Sequence, residues 1–491
     1  MTAPLTPTTT RDGHELRPVK FSRLAQRGVL LGMSGAQLLV AGIAAATVVF
    51  SLYAGGATLF LATVPIVVLC GVLGWGAVGG RKLIAWLPIG ARWLWRTATG
   101  QLVYRRRITR PRPAGTLALP GDAAALRQRV DTDTGAVMIH DPHAATLTAI
   151  IGLTHPAFVL LDPAEQERRV TAWGRVLATA CRSGRIASLQ VLERTLPDSG
   201  KGLAEWWSRH GSHDGSWAST TYGELIERAG PAGERHASTL SLSLDLKSSG
   251  RAIRAAGGGN RGAAAVLRQE MATLAAALRA ADLAPSDWLA PGDLALILRA
   301  AYDPAVAGAL ERHGGLGRDL AAAGPVAVAE SWGSSRSDSA HHCVLWVSEW
   351  PRSMVFPGFL APVLLSSGIR RTFSLLYTPL RADHAARDIR RKKTEYVSDA
   401  AQRSRIGQIE DAQQSAEYQD VLQQEADLTA GHGILRTTGL VSVTADDIGE
   451  LEQAVAALEQ AAIQASCETR RLWGQQGQAF AAAALPLSRP L

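Results

Sequence analysis

The residues best equipped for chemistry in this 491-residue chain are few and scattered. His341-His342 runs directly into Cys343, and His140 stands three positions before His143. Neighbouring residues on a strand point to opposite faces, so His341 and His342 do not converge on one ion. Two imidazoles without carboxylate or thiolate partners also leave a tetrahedral site incomplete. Glu330, Asp338 and Glu349 fall where strand ends are expected and read as surface carboxylates rather than an acid/base pair. A site built from His140, His143 and Glu330 is the catalytic arrangement that stays open. The phosphate cradle of a P-loop needs Gly, four residues, then Gly-Lys-Ser/Thr, so that backbone N–H groups and the lysine together neutralise the phosphates. Ser199-Gly200-Lys201-Gly202 lacks both the upstream glycine and the hydroxyl, and the glycines from Gly257 to Gly262 have no lysine. No GxGxxG follows a strand, and neither HExxH nor GxSxG occurs. The expectation is a non-enzymatic chain without cofactor or metal.

The elements around these residues say more. The chain carries 51 Lys plus Arg against 43 Asp plus Glu, a formal charge of +8, yet only 19% of its residues are charged. That is below the roughly 25% of a soluble domain, and points to lipid. Cys70, Cys181, Cys343 and Cys467 are too dispersed for a disulfide framework, which suits a reducing compartment. From Gly28 to Gly80 there is no Asp, Glu, Lys, Arg or His. Val29–Ala54 and Ala57–Val78 read as two membrane spans, each longer than the ~30 Å hydrocarbon core at ~1.5 Å per residue, turned by Gly55-Gly56 into an antiparallel hairpin. The run is too long for the h-region of a signal peptide. Arg17, Lys20, Arg23 and Arg27 precede it, and Arg110 and Arg112 close a basic stretch that begins at Arg81 and contains no acid, so both termini are expected in the cytoplasm of a two-span plasma-membrane protein. Gly28-x-x-x-Gly32 permits close helix approach, either between the two spans or in a homo-oligomer.

Arg81, Lys82, Trp86, Arg92, Trp93, Trp95, Arg96, Arg105, Arg106 and Arg107 mix guanidinium and indole groups as a helix at the headgroup boundary does. The same mixture, and Arg390-Arg391-Lys392-Lys393, would suit direct contact with nucleic acid. Residues 1–28 then form a cytoplasmic tail, 29–80 the hairpin, and 81–119 a basic juxtamembrane helix and linker. Two α+β modules follow, 120–300 and 301–491.

In the first module, Gly135–His140, Thr146–Thr154 and Phe158–Leu161 read as strands. Asp162-Pro163-Ala164-Glu165 opens a helix, and Ile186–Arg194 returns as a strand. Trp206, Trp207 and Trp217 read as packing aromatics. Ser238–Leu246 alternates as a strand with an outward Ser and Asp face. In the second module, Val326–Trp332 and Cys343–Ser348 read as hairpin arms, and Arg371–Leu380 as a strand. A solvated helix or helical pair covers 382–430, bent near Gly407, and a β-α-β unit runs from Ile434 to Trp473. The repeated capped helix between strands suggests two related, ferredoxin-like modules behind a membrane anchor.

The hairpin with its arginine-rich exit, the stretch from Ala136 to Pro142, the helix Asp162-Pro-Ala-Glu-Gln-Glu-Arg-Arg and the strand from Leu189 to Asp198 together resemble an actinobacterial conjugation-associated membrane family. The hairpin resembles a small PrgI-like subunit. The body resembles the N-terminal, non-catalytic half of a type IV secretion conjugation ATPase, with Gln475–Pro486 similar to the tail that leads into the motor. The resemblance implies a structural subunit that docks a separate cytoplasmic P-loop ATPase in trans and contacts other secretion-apparatus subunits. A weaker resemblance is to the EccE membrane subunit of type VII secretion.

Overall fold

The computed structural model describes residues 33–107, 115–154, 158–197, 201–229, 234–312, 320–406, 412–430 and 433–490, with the single positions 21, 109 and 113. Arg17, Lys20, Arg23, Arg27, Gly28, Gly32, Arg110, Arg112, Ser199, Gly200 and Gly407 lie outside the described residues. The chain divides into two compact units, residues 23–102 and residues 1–22 with 103–491.

The smaller unit is built on α1 (Gly35–Trp75), a 41-residue helical element opened by a capping box between Ser34 and Gln37. Gly56 interrupts it at φ 57°, ψ −148°, a conformation open essentially to glycine alone. Gln37 Nε2 donates to Gly74 O at 2.7 Å, so the element doubles back and its two ends lie together. Lys82 Nζ donates to Gln37 Oε1 at 2.8 Å, adding a charge-assisted bond at the same end. Short strands β1 (Ala77–Val78) and β2 (Arg81–Lys82) pair through Gly79-Gly80, both at positive φ as a tight primed turn requires. Then comes α2 (Leu83–Ala98).

The expected fold class is corrected here. In place of two separate spans over 29–54 and 57–78, the described residues hold one helical element long and apolar enough to cross a membrane, Gly35–Trp75, broken at Gly56. In place of two ferredoxin-like modules, the larger unit is organised on one 13-stranded sheet, paired antiparallel throughout.

The strands of the first half are β3 (Val103–Arg105), β4 (Arg127–Val130), β5 (Val137–Asp141), β6 (Thr146–Thr154), β7 (Ile186–Pro197), β8 (Glu234–Asp245) and β9 (Ala284–Trp288). Those of the second half are β10 (Ala327–Glu330), β11 (Ser335–Ser337), β12 (Ala340–Glu349), β13 (Arg370–Leu380), β14 (Ile434–Ala445) and β15 (Glu468–Arg471). The order is β3-β10-β11-β12-β14-β13-β7-β8-β6-β5-β4, with β15 on β12 and β9 on β6. The seam between the expected modules is a full ladder, from Thr372 opposite Arg194 to Tyr377 opposite Leu189. Period-two alternation fixes which face a strand buries but not which strand lies beside it, so the sequence left this pairing hidden. Two local expectations also shift. Phe158–Leu160 is a 3₁₀ turn rather than a strand, and β11 is inserted between the supposed hairpin arms β10 and β12.

One face of the sheet is covered by helices. In the first half these are α3 (Pro163–Ser183) and, after the intervening α4 (Lys201–His210), α5 (Trp217–Ala229) and α6 (Gly250–Ala255), the long α7 (Gly259–Ala280). Leu240, Leu242 and Leu244 of β8 pack there with Val176 of α3 and Leu267 and Leu274 of α7. Beyond α8 (Pro291–Tyr302) and α9 (Ala307–Arg312), the second half supplies α10 (Ala361–Leu364). The paired helices α11 (Ala382–Ile406) and α12 (Ala412–Thr429) follow, then α13 (Ile448–Gln464). Val441 and Val443 of β14 meet Leu451, Val455 and Leu458 of α13. The opposite face carries α8 and the terminal helix α14 (Gln476–Ala483). Its core joins Val137, Ile139 and Ile150 from one end of the sheet order to Val328 and Val344 near the other, so the sheet curls around it.

That second face is polar at its centre. Thr239, Ser241 and Ser243 alternate with the leucines of β8, and all three are buried. The expected outward Ser face is thus covered, by the chain's own segment 476–489. Ser241 Oγ donates to Pro486 O at 2.8 Å, and Ser188 Oγ bonds Ser488 Oγ at 2.8 Å. Gln190 Nε2 reaches Ala482 O, Leu485 O and Ser374 Oγ at 2.9–3.1 Å, while its Oε1 accepts Ser488 N–H at 2.6 Å. Arg489 closes the segment on Asp141 at 3.0 Å. A hydroxyl- and amide-lined sheet face suits a backbone strap because each buried carbonyl needs a donor. Gln475–Pro486, expected from the sequence to be a lead-in to a motor domain, is here an integral part of the core.

Candidate functional site

The residues expected at a membrane interface fall in two places. Arg81, Lys82, Trp86, Arg92, Trp93, Trp95 and Arg96 belong to β2 and α2, none of whose positions is buried. Trp86 Nε1 donates to Val78 O at 3.1 Å, and the Arg81 guanidinium stands 5.9 Å from the Trp86 ring centre. Leu87, Leu94 and Trp95 are exposed on the same helix, as are the large apolar residues along α1. A helix carrying outward indoles, leucines and guanidiniums is suited to the headgroup layer, where each group finds a partner. Arg105, Arg106 and Arg107 do not continue that helix. They lie in and after β3, which pairs with β10, within the larger unit.

The histidine cluster proves structural. His342 is 1% exposed, and burial, with the nearby His341 charge, pushes its pKa down to about 3. Ser337 Oγ donates to Tyr302 O at 2.6 Å, since a carbonyl only accepts. Its 2.6 Å contact with His342 Nε2 is therefore donated by the ring, and His342 Nδ1 accepts from Thr444 Oγ1 at 3.0 Å. This polarity is the reverse of a Ser-His nucleophile pair, in which the ring takes the hydroxyl proton. The ring also packs on Phe480 of α14 at 4.4 Å. Burial raises the Cys343 thiol to about 12, well away from a thiolate ligand. His140 is half-buried on β5 with its pKa lowered, chiefly by burial, while Glu330 sits on β10, with seven strands between the two in the sheet order. His143 is exposed in the turn after β5, its N–H bonded to Asp141. Asp338 is held by Arg299 and by the N–H groups of Val326 and Ala327, and Glu349 by Arg352. Among the described residues no three His, Cys, Asp or Glu side chains are grouped to hold a metal.

His342 has a measurable consequence. A buried histidine whose folded pKa lies below its ordinary 6.5 stabilises the fold fully only above that value. As pH falls from 6.5 towards 3 the unfolded chain binds a proton that the folded chain refuses, and stability drops by up to ~1.4 kcal/mol per unit. Urea midpoints measured from pH 7 to pH 4 are expected to fall with that component, which His342→Asn removes.

The aromatics Trp206 and Trp217 are corrected from packing residues to surface residues, 52% and 83% exposed. The α4–α5 excursion between β7 and β8 has no sheet face to cover; Trp206 stacks on His210 of its own helix, and Trp207 packs against Tyr222 and His213. Arg390-Arg391-Lys392-Lys393 lies on α11. Arg391 pairs with Glu395, Lys392 with Asp388 and Lys393 with Glu425 across to α12, so most of this charge is already matched within the helical pair. Tyr396 stacks on Tyr418 at 4.2 Å to hold the two helices together. Sequence reasoning missed a cleft of about 450 Å³ where the ends of β7 and β8 meet β9, α8 and α9. It has no motif, because its residues come from five elements.

No protein-family model matches the chain, and no curated protein sequence matches it.

Proposed function

We propose that this chain is a non-catalytic membrane scaffold of a conjugative, type IV secretion-like transfer apparatus, whose folded body is presented to a cytoplasmic P-loop ATPase acting in trans. The observation that carries the anchoring role is α1, whose most apolar window has a mean hydropathy of 2.3 and no buried residue. Such a surface in water would be a severe aggregation liability, whereas in lipid it is the ordinary state of a spanning helix. Arg81, Lys82, Arg92 and Arg96 follow α1 without an acid among them, a charge bias that supports reading the body as cytoplasmic. The ion-paired α11–α12 projection and the exposed aromatics of α4–α5 supply surface for other subunits of the assembly.

The expected result is that full-length protein, solubilised from its own membranes, brings down a P-loop ATPase, and that deletion of residues 120–491 abolishes the capture while the remaining piece stays in the membrane. A monodisperse, partnerless full-length protein from the same membranes would refute the docking role. Direct contact with transferred DNA is a separate outcome. It would appear as a retained nucleic acid whose affinity falls steeply with salt as phosphate counterions are displaced.

A further inference from the structure

The cleft between the β7–β8 strand ends and α8 has a composition that selects its occupant. At about 450 Å³ it lies within the ~300–1,000 Å³ range of small-molecule sites. Arg194 and Leu196 are two apart on β7 and so share a sheet face, and Arg235 stands directly opposite Leu196 on β8. The strand wall therefore carries two guanidiniums. The facing wall comes from α8, where Asp293, Leu296, Ile297 and Ala300 follow the i, i+3, i+4, i+7 spacing of one helical stripe. It puts a carboxylate at the helix N-terminus and an apolar strip behind it. Asp293 accepts the Ala290 N–H with one oxygen at 3.0 Å. Asp287 and Trp288 of β9 and Ala307 and Gly308 of α9 also line it.

A simple anion would be attracted by Arg194 and Arg235 but repelled by Asp287 and Asp293, and a simple cation would meet the converse. A molecule carrying both charges on a short backbone satisfies both walls at once, and the apolar stripe takes an uncharged side chain. We propose that this cleft binds a zwitterionic amino-acid-type ligand, its carboxylate towards Arg194 and Arg235, its ammonium towards Asp287 and Asp293, and an apolar side chain along Leu296 and Ile297. A free amino acid and the ends of a di- or tripeptide offer the same chemistry. The proposal is independent of the scaffold role.

The test is calorimetric titration of the full-length protein in lipid nanodiscs with L-leucine and with leucyl-leucine, alongside N-acetyl-leucyl-leucine and leucyl-leucinamide. One zwitterionic probe is expected to saturate a single site below about 1 mM. Loss of either terminal charge should weaken its binding roughly ten- to hundredfold, as removal of one charge-assisted hydrogen bond does. Tighter binding of leucine assigns the cleft to free amino acids, and of leucyl-leucine to peptides. Either result upholds the zwitterion rule. Asp287→Asn should weaken the zwitterion but leave the acetylated, acid-only probe unchanged, and Arg235→Gln should spare the amide in the same way. The thermal midpoint of each variant is read in parallel. Failure of both zwitterions to bind wild-type protein, or blocked dipeptides binding as well as the free one, would overturn the proposal.

Discussion

Replacing Gln190 with leucine is expected to lower the stability of the larger unit by about 3–5 kcal/mol, because it leaves several buried backbone groups of one segment without partners. Gln190 is fully buried on β7, and its amide bonds Ala482 O, Leu485 O and Ser488 N. Leucine matches its size but offers neither donor nor acceptor, and a buried carbonyl or N–H stripped of its partner costs ~1–3 kcal/mol. The urea midpoint should fall, and protease should gain access to the chain between Ala483 and Arg489. Ser188→Ala, which removes a single hydroxyl and its contacts with Ser488, sets a smaller scale of ~1–2 kcal/mol. An unchanged midpoint for Gln190→Leu would mean that the segment is not held by this side chain.

The second large effect concerns α1. Ile66 and Leu69 are exposed and three residues apart, on one face of the helix. Arginine at both positions is expected to move the protein out of the carbonate-resistant membrane fraction. Each substitution near the middle of a spanning segment costs ~2.5–3.5 kcal/mol of insertion free energy. Surface substitutions of the same kind on α12, Gln423→Arg and Asp427→Arg, should leave fractionation unchanged. Recovery of the wild-type, full-length protein from the detergent-free soluble fraction would sink the membrane reading altogether.

What the sequence made legible depended on how local the physics is. The helix after Asp162 and the helix of the Ile434–Trp473 unit could be read because helical spacing is written within a few residues. The structure has α3 starting at Pro163 and Asp447 accepting the Gly449 N–H at 2.7 Å. Strands β8, β13 and β14 were equally readable from alternation. The pairing of β7 with β13 was not, since residues some 180 positions apart meet there and no local signal encodes it. The serine face of β8 misled for the same reason. Alternating Ser in a strand usually marks solvent, and only the distant segment 476–489 turns it into an interior. The chemistry of the cleft is illegible for a related cause, because its charged residues lie on β7, β8, β9 and α8 and converge only when the sheet closes. The aromatics of α4 and α5 failed in the other direction, since a tryptophan's preference for burial is overridden when its helix has nothing to lie against.

The strap across the polar face also dictates an order of events during synthesis. Residues 23–102 leave the ribosome ahead of residues 103–491, and their apolar element can be handed to the bilayer while the rest is still being made. Arg489 is added roughly 400 residues after Trp75, which at ~5–20 residues per second is about 20–80 s later. From its own synthesis until Arg489 is reached, each of Gln190, Ser241 and Ser374 faces water or a chaperone instead of its partners in segment 482–486. A row of hydroxyls tolerates such a wait where a row of leucines would invite misassembly, so the polarity of this hidden surface suits a nascent chain that is tethered early and completed late.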